Sequence, residues 1–446
     1  IQRLGKEDVQ YIQSLRKVST LAERLGRLLI HFSLDPVTWS SGVLALWVHK
    51  QLETTEIGHN ALHGAWDCFP EATAFHSKDF KWDTPIEEAS WKHGHNELHH
   101  FYTNILGMDP DLNFGPLRMS DKTPWAPHHL LQTGLFFVSA FYFTWVINLH
   151  VTGLTDLSHP QGAEGYADAL PDRKLKTILK AARQSAKKML PYSLKNFAFW
   201  PALAGPFWPK VLAGNLLAET IRDVYSCATI YAGHFGEDLG YYEKTSRPKG
   251  RGEWYKAQIE AAHNFEVPKP LSLLCGALDY QIEHHLFPKL PPNRLREIAP
   301  RVQEICIRYG VRYQKAGWGQ NPEEGLDQDR QDVASSQEPQ RVLNFQSEGR
   351  LANNLWVKWY NGLERINMIL NFESLNASQK NVWTPLANKL EAMGFNIKVF
   401  SGSKSASVFK KDSGGEVGTV TREMIEDEEL DYILHSRLQL ARAAGV

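Results

Sequence analysis

The apolar positions of this chain are gathered into a few stretches. No Asp, Glu, Lys or Arg occurs between Lys122 and Asp156, and the run LLQTGLFFVSAFYFTWVINL within it (130–149) is long enough to cross a bilayer as one helix. A second apolar zone runs from Asn196 to Ala218, broken by prolines and by Lys210, and a shorter one from Val224 to Gly236 brings His234 to its end. Such interruptions are tolerable where neighbouring helices repair the backbone or the lysine snorkels. Near the N-terminus, LLIHFSLDPVTWSSGVLALWVHK is interrupted by Asp35-Pro36 and reads as one or two weak spans, or as a buried core helix. The pattern predicts a mainly α-helical, integral-membrane domain.

Towards the C-terminus the pattern changes. NRLREIAPRVQEICIRYGVRYQ (293–314) reads as an amphipathic helix and tail, and residues 317–350, rich in Gln, Asp, Glu, Gly and Ser, read as a flexible linker. Residues 351–446 suggest a small soluble α/β module with an interaction or regulatory role. It would hold two helices, strands around NIKVFSG and SASVFKK, a turn at Asp412-Ser-Gly-Gly and a final charged helix. The expected domains are therefore 1–316, 317–350 and 351–446.

A mean hydropathy of −0.37 and 22% charged residues describe a soluble chain on average, which the local contrast overrules. The net charge of −1 gives no reason to expect a nucleic-acid partner.

Three histidine clusters carry the chemistry: His59 and His63; His95, His99 and His100; His284 and His285. They hold seven of the chain's 18 histidines, and neutral imidazole is the commonest metal-binding side chain. On an α-helix, residues four apart share a face, so His59/His63 and His95/His99 are each expected to grip one ion. His100 and the His284-His285 doublet splay by about 100° per residue and can serve two metals. A single zinc closes with four ligands, so two ions suit seven histidines better than one. His31, His150, His159 and His435 read as satisfied surface or core residues. Glu56-x-x-His59 matches a fragment of soluble di-iron bundles, but the boxes hold no second such motif.

The strings GHNALHG, HNELHHFYTN, GMDPD and DYQIEHHLFPKLP together resemble the membrane fatty acid desaturases, most nearly the bacterial acyl-CoA desaturases of mycobacterial type. The resemblance covers roughly residues 20 to 315. It implies a helical membrane domain whose cytoplasmic cap holds two irons and uses O2 and two electrons to remove two hydrogens from an acyl chain. Carried over residue by residue, it implies metal binding by His59, His63, His95, His99, His100, His284 and His285. It adds His234, with Gln281 as a further candidate ligand through its amide oxygen. His93 reads as a packing or supporting residue. Asn264 falls where the family often has an Asn near the site, whereas the adjacent His263 has no such support. Asp67, Asp109, Asp111 and Glu283 can accept the outer N–H of liganding imidazoles, or can be exposed loop carboxylates.

The expected substrate is a long acyl chain, as acyl-CoA or lipid-linked, with membrane lipids around the enzyme. No His-Pro-Gly-Gly haem motif and no flavin or nicotinamide fingerprint occurs, and Cys68, Cys227, Cys275 and Cys306 are too scattered for an iron–sulfur cluster. Electrons are expected from a separate NAD(P)H-dependent reductase or ferredoxin. No signal peptide is visible at the start of the sequence as it stands. A di-iron lipid or alkane hydroxylase, or a membrane zinc hydrolase or metal transporter, are the alternatives.

Topology leaves one tension. If all boxes share a side, an even number of spans must separate residues 100 and 284, and 130–150 with 196–218 supply two. That places Arg173, Lys174, Lys176, Lys180, Arg183, Lys187 and Lys188 opposite the metals, against the rule that basic loops stay cytoplasmic. Either the basic segment lies on the cytoplasmic face, near CoA phosphates or anionic lipid heads, or the rule is broken here.

Overall fold

A computed structural model describes residues 4–119, 123–235 and 239–317, together with three later strands. Contacts divide the chain into two units, Ile1–Leu326 and Asp327–Val446.

In the first unit, helix α1 (Lys6–Phe32) packs along helix α2 (Pro36–Leu52). The Asp35-Pro36 interruption is the turn between them: Asp35 caps α2 by accepting the Thr38 N–H at 2.8 Å, and Pro36 supplies the fixed φ of a first helical residue. The pair is close because of two glycines. A Cβ on Gly26 would lie 2.7 Å from the Leu46 backbone N, and one on Gly42 would lie 2.8 Å from that of Ile30.

A second hairpin stands beside the first. Helix Leu175–Leu194 continues through a π-helical stretch, Lys195–Phe199, to Leu203, and the long helix Trp208–His234 returns. Lys210 does not snorkel. It donates to the carbonyls of His31 (3.0 Å) and Ser33 (2.8 Å), satisfying the C-terminus of α1 and joining the tips of the two hairpins. The histidines lie at the other end.

The expected straight span at 130–149 is corrected. The helix stops at Phe141, and a new one, Phe143–Val151, leaves at 101° to it. Among the described residues no single helix is long and apolar enough to cross a membrane, and this bent pair alone meets that test jointly. The pair begins and ends near the histidine boxes: Gln132 accepts the Arg118 N–H at 3.0 Å, and His150 lies 3.0 Å from Asp111.

This bend also resolves the tension over the basic segment. Lys188 donates to the Trp82 carbonyl at 2.6 Å and pairs with Glu88, Lys195 pairs with Asp83 at 3.0 Å, and Asn148 donates to Ser185 at 2.7 Å. Residues 82–88 connect the first two boxes, so the basic segment stands on the box side. Between boxes two and three the Leu175–Leu203 and Trp208–His234 hairpin leads away from the boxes and back to them.

The cap is built on a core of Ile57, Leu62, Trp66, Phe75, Trp82 and Trp91. Strand β1 (Asn264–Glu266) pairs in parallel with β2 (Lys315–Gly317) and closes the cap beside the third box. In the second unit, β3 (Phe395–Val399), β4 (Ser405–Lys410) and β5 (Glu416–Thr421) form an antiparallel sheet in that order. Two of these strands were expected and the third was not. The expected helices of 351–446 and the linker lie outside the described residues.

Gly58 gives a test of the cap. The Trp82 indole N–H donates to the Glu53 carbonyl at 2.8 Å by passing over Gly58, where a Cβ would stand 2.0 Å from the indole nitrogen. Gly58→Ala should therefore destabilise the protein by roughly 1–3 kcal/mol through overpacking. A melting temperature in detergent equal to that of the wild type would refute this.

Candidate metal centre

Both leading histidine boxes lie on π-helical turns. Helix α2 passes into the π-helical stretch Glu53–His59 and ends with Asn60–Leu62; Glu88–Trp91 passes into the π-helical stretch Lys92–His99, then His100–Tyr102. The third box is the short helix Gln281–Leu286, and His234 is the last residue of Trp208–His234.

Together these elements bring all eight expected histidines into one buried cluster. Nitrogens of His59, His63, His95 and His284 lie within 4.8 Å of one another, as do those of His99, His234 and His285. His100 stands between the groups, its ring centroid 4.7 Å from that of His63 and 4.5 Å from that of His285. The doublet His284-His285 splits between the groups as expected. His95 and His99 also fall together in a third group, with Asp111, so the expected pairing of these two rings has the ligand atoms close enough for it. In a π turn the bond runs from residue i to i+5, so His100 donates its N–H to the His95 carbonyl, while the His95 and His99 rings remain stacked with their centroids 5.1 Å apart.

The donor set fits metal ions. Nine imidazole nitrogens of the cluster are buried with no hydrogen-bond partner: His59 Nδ1, His95 Nε2, His99 Nε2, both of His100, His234 Nδ1, both of His284, and His285 Nε2. Leaving a buried polar atom unpaired costs roughly 1–3 kcal/mol, so such a concentration calls for cations. Burial, reinforced by neighbouring imidazoles, holds the pKa of His59, His63, His100, His284 and His285 well below the ordinary range, which keeps them in the neutral, ligating form. His99 differs. Burial lowers its pKa, but the carboxylates of Asp109 and Asp111 outweigh that and push it up to about 9.

Orienting contacts fix several rings. His99 Nδ1 lies 3.0 Å from Asp109, His95 Nδ1 3.4 Å from Asp111, and His285 Nδ1 3.0 Å from Gln258, each contact turning Nε2 inward. Gln281 places its amide nitrogen 2.8 Å from His234 Nε2; the opposite amide orientation would present the oxygen there.

Several expected residues stand elsewhere. Asp67 staples a loop by accepting from the N–H and hydroxyl of Ser77, both at 2.6 Å. Glu283 touches no histidine: it accepts from Asn264 (2.8 Å) and Tyr313 (3.0 Å), and Asn264 accepts the Ile282 N–H at 2.9 Å, so this group anchors the third box. Glu56 is paired with Arg296 and Tyr11. His93 is exposed and bonded to Glu97. His263 is buried in neither metal group. Two contributors had no signal in the spacing. Gln258 reaches His285 from another helix, and His150, expected to be inert, holds Asp111 at 3.0 Å.

A cavity, partly open to the outside, borders the cluster. His59, His95, His99 and His234 line one end, and Trp91, Ile147, Phe143 and Thr144 extend its wall away from them.

A buried histidine cluster beside an apolar cavity is a site suited to metal-dependent chemistry on an apolar substrate. The family model described as fatty acid desaturase matches residues 36–317, and this chain belongs to that family. An NADPH-dependent stearoyl-CoA 9-desaturase of Mycobacterium tuberculosis is 35% identical over 316 residues, covering 69% of this chain and 71% of the relative. An sn-1 linoleoyl-lipid 6-desaturase of Synechocystis is 26% identical over 285 residues, or 61% and 74%. Delta(5) fatty acid desaturase A of Dictyostelium discoideum is 24% identical over 266 residues, or 57% and 54%.

The orienting carboxylates are testable apart from the ligands. Asp109→Asn should lower metal affinity or activity by roughly 10–100-fold, whereas His93→Ala should leave both unchanged. Metal content after purification and a rate assay decide this, and equal effects from the two variants would refute the assignment.

Proposed function

We propose that this desaturase acts on a long-chain acyl-CoA in a membrane and that His59, His63, His95, His99, His100, His234, His284 and His285 hold two iron ions, with Gln281 supporting or joining them. The single observation that carries the reading is the gathering of eight imidazoles beside an apolar cavity, four in one group, three in another and His100 between them. Irons held there supply the oxidising power that no side-chain acid or base has against an unactivated C–H bond. In balance, the acyl chain loses two hydrogens to form a C=C bond. O2, two further electrons and two protons complete two waters.

The chain's own residues do the rest. Trp91 stacks on His95 (4.5 Å between centroids) and meets His59 edge-on, shielding the cluster where it opens to the cavity. Asp109, Asp111 and Gln258 keep the imidazole nitrogens aimed inward. The cavity wall excludes water and holds the chain extended past the cluster.

Membrane attachment is supported by the family and by a belt of exposed apolar side chains, including Leu28, Phe32, Val37, Phe199, Leu203 and Phe207, around the hairpin tips. With the tips in the bilayer, the boxes and the basic segment share the cytoplasmic side, where Lys176, Lys180, Arg183 and Lys187 can meet CoA phosphates or anionic lipid heads. Electrons come from a separate NAD(P)H-dependent protein. Residues 1–316 form the catalytic domain, 317–350 a linker and 351–446 a soluble module with an interaction or regulatory role.

Two experiments test this. His63→Ala and His285→Ala should each lose desaturation at least about 100-fold, by analogy with other catalytic groups, while still inserting in membranes. Wild-type rates in either variant, or zinc in the active, natively produced enzyme, would sink the reading, and hydroxylated products would favour a hydroxylase. A truncation after Gly317 should retain about two irons per chain and desaturate when given a reductase. Iron lost from a folded, membrane-inserted truncation would show that later residues help build the site.

A further inference from the structure

The helix break contributes buried Phe143 and Thr144 to the cavity wall, and the groups that hold the break are polar and charged. At the start of Phe143–Val151, Thr144 directs its N–H and its hydroxyl to Asp223, at 3.1 and 2.9 Å. Fully buried Arg222 donates to the hydroxyls of Thr144 (2.8 Å) and Thr54 (3.3 Å), and pairs with Asp223 and Glu219. Glu219 in turn pairs with buried Lys50. Thr54, Phe143, Thr144 and Ser226 all face the cavity, with this ion network behind them.

We infer that the Phe143–Thr144 break, clamped by Arg222 and Asp223, is the stop that sets how long an acyl chain this enzyme accepts. The inference rests on the desaturase reading of the cavity and adds a length limit to it. A wall of aliphatic side chains can yield to a longer substrate by changing rotamers. This one cannot, because moving Thr144 aside leaves a helix N-terminus uncapped and bares paired ions to hydrocarbon.

The depth follows from the helix. Ser226 lies eight residues before His234 in one continuous helix, hence about 12 Å away at 1.5 Å per residue. An extended hydrocarbon with C–C bonds of about 1.52 Å and angles near 111° advances about 1.25 Å per carbon. Roughly eight to ten carbons therefore fit between the histidine layer and the stop. Longer chains would be refused at the break.

The test offers acyl-CoAs of sixteen, eighteen and twenty carbons together to the full-length enzyme in membranes with a reductase, and measures products by gas chromatography. Phe143→Ala opens the stop without touching the clamp, and should raise the ratio of twenty- to eighteen-carbon product about tenfold or more. Ser226→Phe fills the same level from the facing helix and should shift the eighteen- to sixteen-carbon ratio down by a similar factor. Ratios within twofold of wild type in either variant that still desaturates would overturn the inference, and if Phe143→Ala does not fold, Ser226→Phe decides alone. Wild-type products bearing a hydroxyl in place of a double bond would refute the desaturase reading while leaving the length ratios to judge the stop.

Discussion

Crowding neutral imidazoles into one dry volume is the constraint on which the rest of the unit depends. Nine unpaired nitrogens at roughly 1–3 kcal/mol each rival the roughly 5–15 kcal/mol by which whole domains are stable. Protonating rings such as His63 and His100 is no escape, since neighbouring imidazoles would repel the charge. Such a cluster needs a scaffold that keeps its parts from separating, and cations bound there would couple metal binding to folding. The clamps around the boxes answer that need: Arg296 reaches Glu56 of the first box helix, and Arg294 bonds Asp8 of α1 at 2.6 Å. The amphipathic helix Pro292–Tyr309 thereby ties the two ends of the catalytic unit together.

The opposite half of the unit follows different rules. Its helices show exposed apolar residues outward and bury Arg27, Lys50, Glu219, Arg222 and Asp223 among themselves. These ions explain why Trp208–His234 fails as a single apolar span although its outer surface suits lipid. Buried ion pairs add little to stability over apolar packing, and here they satisfy the helix terminus freed by the bend at Tyr142.

Much of the site could be read in advance. That the eight histidines gather in one place, with Asp109 and Asp111 against their rings, was legible because these residues crowd into short motifs whose joint match is specific. Gln258 and His150 were not, since each acts from a distant part of the chain and isolated residues carry no spacing signal. The reading failed for Glu283, whose place beside two histidines says nothing of the direction its side chain takes. Fold class was legible from the apolar zones, but hydropathy cannot see a bend: 130–149 has the composition of a straight span, and its break is stabilised by Asp223, a residue far along the chain. β5 was overlooked because its Gly418 interrupts an otherwise β-branched run, and a glycine there reads as a continuation of the preceding turn.

The π turns at the first two boxes carry a consequence for how such sequences vary. A π turn is an α turn that has taken in one extra residue, so the second box holds a residue that helix continuity does not need. Deleting Asn96, Glu97 or Leu98 would restore an ordinary helix yet rotate everything on one side of the deletion by about 100°, parting His95 from His100. Substitutions at these three positions can be absorbed singly, whereas a change of length cannot, even one that improves the helix. The motif is therefore a record of angle more than of distance, and its spacing is held by the directions its imidazoles take toward the cluster rather than by the stability of the helix that carries it.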